Sequence, residues 1–86
     1  MATANIEIIH EAREHNSGWN LCFQWCRYRY DDGSPDEMGY RFIWRDPEDR
    51  LHPQRGQALI QSAAQMFHLI ELAMQDGWFV TAEGRR

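Results

Sequence analysis

Apolar and polar residues alternate along the first half of this chain and change to a helical period near its end. From Asn5 to Glu14, Ile6, Ile8 and Ala12 alternate with Glu7, Glu11 and Arg13. A period of two marks a strand with one buried face. Glu and Ala would also suit a helix, but the β-branched opening Ile-Glu-Ile-Ile favours a strand. Asn16-Ser17-Gly18 then signals a turn between antiparallel strands.

Trp19 to Tyr30 is the strongest strand pattern. Trp19, Leu21, Phe23 and Trp25 point one way; Cys22, Gln24, Cys26, Tyr28 and Tyr30 point the other. Sizeable side chains on both faces predict a central strand. Asp31 to Glu37 is an acidic loop rich in turn formers. From Met38 to Arg45, Met38, Tyr40, Phe42 and Trp44 alternate with Gly39, Arg41, Ile43 and Arg45. Asp46-Pro47-Glu48-Asp49 is a further turn. Over Arg50 to Ile60, Pro53 and Gly56 oppose a central strand, which leaves a short or broken edge strand.

Ser62 to Trp78 is the best-marked element. Ser62 with Gln65 reads as a capping box, and Gly77 with Trp78 as a Schellman turn. At about 100° per residue, Ala63, Met66, Phe67, Ile70, Ala73 and Met74 share one face of a helix over Ala63 to Gln75. Leu69 borders that face, and Leu72 projects away from it.

These elements predict one small α+β domain over residues 1–86, with an ordered core of about 5–79 and a mobile tail. Its antiparallel sheet has three or four strands and is packed on one face by a single C-terminal helix. The inner face is read as Ile6, Ile8, Leu21, Phe23, Trp25, Tyr40, Phe42 and Trp44, meeting Met66, Phe67, Ile70 and Met74. A helix is about 10 Å across and four strands span at least about 14 Å. One helix therefore leaves part of the sheet bare, and the opposite face, with Ile9, Cys22, Gln24, Cys26, Tyr28, Arg41, Ile43 and Arg45, is left open.

Composition changes this picture in three ways. The formal charge is −4 over 86 residues, with a pI near 5.4, against the usual balance of a nucleic-acid binder. All nine basic residues are Arg. A GC-rich coding genome is the simple account; planar bidentate contacts to carboxylate or phosphate are the sharper one. Cys22 and Cys26 lie about 13 Å apart along a strand, beyond the roughly 7 Å limit for a disulfide. They read as free thiols in a reducing compartment. With no apolar stretch suited to a signal peptide or a membrane span, a cytoplasmic location is expected, with no membrane partner.

Two surfaces attract attention. Arg27, Tyr28, Arg29 and Tyr30 would lie near Arg41 and Arg45 if the second and third strands pair. Aromatics interleaved with Arg on a sheet suit single-stranded nucleic acid. The alternative is a solvated face whose Arg residues pair with Glu7, Glu11, Asp31 and Asp32. The second surface is a strip of Leu69, Leu72 and Trp78 facing another subunit; Leu72 tucked beneath Trp78 is its alternative. The order of strands and helix, with Arg55-Gly56 ahead of the helix and Gly77-Trp78 closing it, resembles small nucleic-acid modules such as WGR or arm-type integrase domains. The Trp-Gly-Arg signature is absent, and Gly39-Tyr40-Arg41 is a loose echo of it.

His10, His15, His52 and His68, with the two Cys, lack the close ligand pairs of a zinc site. His10 with Glu11 or Glu14, and Cys22 with a His, are the conceivable catalytic pairs, but no catalytic motif accompanies them. The expectation is therefore a non-catalytic interaction module without cofactor or metal. Its partner is a second copy or another protein, and nucleic-acid binding is the alternative.

Overall fold

The computed structural model describes residues 4–53 and 59–79. The strands are β1 (Ala4–Arg13), β2 (Asn20–Tyr30), β3 (Glu37–Arg45) and β4 (Leu51–His52), followed by the helix α1 (Ala63–Gln75). They form one antiparallel sheet in the order β1-β2-β3-β4. With the single helix on one face, this is an α+β fold. β2 lies inside the sheet, as its two substantial faces require. The Arg55-Gly56 pair, Ala58 and the 80–86 tail lie outside the described residues.

The connections follow local chemistry. In the β1–β2 loop, the Asn16 side chain accepts from the Gly18 amide at 2.8 Å, closing an Asx turn. Between β3 and β4, the Asp49 amide donates to the Asp46 carbonyl at 2.8 Å, with Pro47 at the position whose fixed φ suits this turn. Asp49 then takes φ 70°, the left-handed residue that completes a short hairpin loop. Pairing of the expected edge strand falls at its start: Leu51 and His52 face Arg45 and Trp44. Ile60, at the far end of that segment, packs on the core.

The helix face of the sheet is built from odd positions of β2 and even positions of β3. Leu21 opposes Trp44, Phe23 opposes Phe42 and Trp25 opposes Tyr40. Leu21, Phe23, Ala12, Leu69 and Ala73 are the buried centre. Phe23 is its hub, with ring centroids 4.7 Å from Phe42, 5.6 Å from Trp78 and 5.4 Å from Phe79.

β1 departs from the expected alternation. A bulge shifts the register between Ile8 and His10. Ile6 pairs with Tyr28 and Ile8 with Cys26, so both lie on the face away from the helix. His10 and Ala12, opposite Trp25 and Phe23, occupy the helix face in their place. The extra residue of a bulge flips every position on one side of it.

The helix is rotated from the predicted orientation. Leu69 and Ala73 are fully buried, while Phe67 is 68% and Met74 56% exposed. Met66, Ile70 and Leu72 are half-buried. Burying a Leu side chain contributes about 2 kcal/mol, so the face holding Leu69 is the one that docks. The helix lies over β1 and β2.

The ends of α1 explain this choice. Ser62 makes no side-chain cap; Gln65 instead donates to Glu14 of the β1–β2 loop at 3.0 Å, in place of the expected capping box. The Schellman turn forms as expected: the Gly77 amide bonds the Met74 carbonyl at 3.1 Å, and the Trp78 amide bonds the Ala73 carbonyl at 3.2 Å. Gly77 has φ 85°, the left-handed conformation that only glycine takes freely. The turn sends Trp78 and Phe79 across Phe23 and Tyr40, so the chain beyond the helix covers sheet that the helix does not. Before the helix, the Trp44 indole N–H bonds the Leu59 carbonyl at 3.0 Å.

Candidate interaction surface

The Arg and Tyr residues divide by strand parity. Arg27 and Arg29 fall on the helix side of β2, with Arg27 opposite Glu7 and Met38. Tyr28, Tyr30, Arg41 and Arg45 fall on the far side. Arg45 pairs with Asn20, ten residues from Tyr30 along β2, a separation of about 33 Å. The six residues therefore do not form one patch.

Nearly all of these cations have carboxylate or amide partners. Arg29 bonds Glu7 at 3.1 Å and approaches Asp36 at 3.8 Å; Arg27 lies 3.8 Å from Glu7. Arg45 bonds Glu11 at 3.1 Å, and Arg41 donates to the Gln24 carbonyl oxygen at 2.7 Å. Tyr30 donates to Glu37, which holds its phenol above the ordinary value.

The centre of the far face is closed rather than open. Cys22, Gln24 and Cys26 have no exposed surface, and Ile43 is 4% exposed. Gln24 sits at the centre: its amide donates to Glu11 at 2.6 Å and its oxygen accepts from Arg41. Arg45 then clamps Glu11 from β3. Among the described residues no buried side-chain nitrogen or oxygen lacks a partner, which is the condition for such a network to stabilise a fold. A base stacking here would have to displace it.

Cys22 and Cys26 are free thiols, both buried. Burial, reinforced by Glu11, pushes the Cys22 thiol up to about 12. It stays protonated near neutrality and has no nucleophilic thiolate. His10 and Glu11 lie on opposite sides of the sheet, because His10 pairs with Trp25 and Glu11 with Gln24. His52 instead bonds Asp46 at 2.8 Å and packs against Trp19, ring centroids 4.7 Å apart. Among the described residues, no three His, Cys, Asp or Glu converge as metal ligands.

Beyond the exposed Ile6, Met38 and Tyr40, two apolar surfaces stand out among the described residues. One is a shallow cleft of about 350 Å³ beside β3, lined by Trp19, Trp44, Leu59 and Gln61. The other is the outward side of α1. Leu69 and Leu72 do not contribute to it: Leu69 is fully buried and Leu72 packs on the core. Burial of the half-turn bearing Leu69 turns Ala63, Phe67 and Met74 outward, with Ile70 at the border. The spacing 63, 67, 70, 74 is four, three, four, the alternation of a coiled-coil seam. The exposure of Phe67 and Met74 was hidden in sequence because they belong to the same wide apolar arc as the buried residues.

No protein-family model, curated protein or solved structure matches the chain. No helix among the described residues is long and apolar enough to cross a membrane.

Proposed function

We propose that this chain is a non-catalytic interaction module that associates with a second copy of itself through the outward side of α1. The carrying observation is the exposure of Phe67 (68%) and Met74 (56%) on a helix already buried along another face. Large apolar side chains aligned on one helix stripe mark a contact surface more specifically than scattered ones. The satisfied charges of the far face, the protonated Cys22 thiol and the separation of His10 from Glu11 favour binding over catalysis.

Sedimentation equilibrium over a micromolar-to-millimolar series tests the reading. The average mass should rise with concentration, and Phe67→Glu should hold the protein at monomer mass. A wild-type mass that stays monomeric throughout removes the proposal. Nucleic-acid binding is the competing outcome. It predicts a signal with labelled single- or double-stranded oligonucleotides that falls steeply with salt.

A further inference from the structure

The outward stripe of α1 has a symmetry beyond its apolar character. Its spacings read the same in both directions: Ala63, Phe67, Ile70 and Met74 are separated by four, three and four residues. A two-fold contact between antiparallel helices needs this property, because each residue must meet a residue of the same seam in the other copy. Resting on the self-association reading above, we infer that two copies pair through antiparallel α1 helices. In this register Ala63 meets Met74 of the second copy, and Phe67 meets its Ile70.

Two observations favour this register. It sets the smallest seam residue against a long flexible one and the largest against a branched one, which fills a seam evenly. A parallel pair would set Ala63 against Ala63 and Phe67 against Phe67. Second, α1 has no acidic residue in its first turn, no basic residue in its last, and no side-chain cap from Ser62. Antiparallel pairing lays the negative end, closed by the C-cap residue Asp76, beside the positive start of its neighbour.

Area sets the strength. Phe67, 68% exposed, offers about 140 Å² of the roughly 200 Å² of an aromatic side chain. The whole seam stays well below the roughly 800 Å² per partner of a standard stable interface. A contact of this size is weak and reversible.

Crosslinking reads the register directly. Ala63→Cys and Met74→Cys proteins are prepared separately, mixed, and treated with a short bismaleimide. Native Cys22 and Cys26 are fully buried and stay silent in the folded protein. The mixture should give a crosslinked dimer in severalfold excess over either protein alone. In each protein alone the two new thiols lie about 16 Å apart along the seam, eleven residues at about 1.5 Å each. Strong crosslinking of Ala63→Cys by itself indicates parallel helices and overturns the inference. Association by sedimentation without mixed crosslinks also overturns it, while leaving self-association through another surface. Absence of association at millimolar concentration overturns both.

Discussion

The imidazole of His10 lies flat against the indole of Trp78, with ring centroids 5.4 Å apart and planes 13° from parallel. Two irregularities meet in that stack. The bulge in β1 turns His10 to the helix face, and the Schellman turn at Gly77 swings Trp78 back over the sheet. Trp78 also stacks on Phe23, so one side chain joins the helix end to two strands. Trp78→Ala should cost about 3 kcal/mol in urea unfolding. Trp19→Ala, at a site 49% exposed, should cost about 1 kcal/mol or less.

The rotation of α1 makes a paired prediction. Leu69→Ala removes a side chain with no exposed surface and should destabilise by about 2–5 kcal/mol. Phe67→Ala should change stability by less than about 0.5 kcal/mol at low protein concentration. Thermal denaturation of dilute samples distinguishes this orientation from the one the helical period alone suggests, which reverses the order.

Gln24 tests the closed far face. Gln24→Leu keeps the volume but leaves Arg41 without its acceptor and Glu11 without one of its donors. Such a change should cost about 1–3 kcal/mol, read by urea unfolding. Tolerance within about 0.5 kcal/mol would show a face as solvated as an ordinary sheet surface.

Acid should weaken the β3–β4 connection first. Backbone amides of Arg50 and Glu48, with the His52 and Arg50 side chains, hold the Asp46 carboxyl well below its ordinary value, the Arg50 amide most strongly. A depressed folded-state pKa gives stability that is complete above the unfolded value of about 3.9 and is lost as pH falls below it. The melting temperature should therefore drop more steeply below about pH 4 in the native protein than in Asp46→Asn. Parallel acid limbs in the two proteins would contradict this.

Asp49 is the one non-glycine residue with positive φ among the described residues. A β-branched residue tolerates that conformation poorly, so Asp49→Val should cost about 1–2 kcal/mol. Asp49→Gly should stay within about 0.5 kcal/mol: backbone relief offsets the lost exposed pair with Arg13, itself worth little. Chemical denaturation of both variants checks the contrast.

Much of this architecture was legible in the pattern of residues. Three alternating runs became β1, β2 and β3, and the helix spans Ala63 to Gln75 as its period predicts. Gly77-Trp78 closed the turn it signalled. The misplacement of Ile6 and Ile8 has a local cause. Ile8-Ile9 is an apolar doublet that breaks strict alternation and is compatible with either frame, so the bulge leaves only that faint trace. The helix orientation was undetermined for a different reason: its apolar arc spans more than half the circumference. Which part meets the sheet depends on Trp78 and Gln65, contacts made far along the chain. The Arg and Tyr residues were separable from sequence, since Arg27 and Arg29 differ in strand parity from Tyr28 and Tyr30. The closing of the far face was not, because it depends on cross-strand geometry around Gln24.

The bulge in β1 has a further consequence for growth. β1 stands at the margin of the sheet, where an uninterrupted strand would offer its free edge as a template for the next chain. The dislocation between Ile8 and His10 breaks that edge into two short, mutually misaligned stretches. A second chain adding there gains only a fragment of ladder, and endless strand-on-strand stacking loses its advantage. Growth of open-ended fibres from this edge is disfavoured by the strand itself.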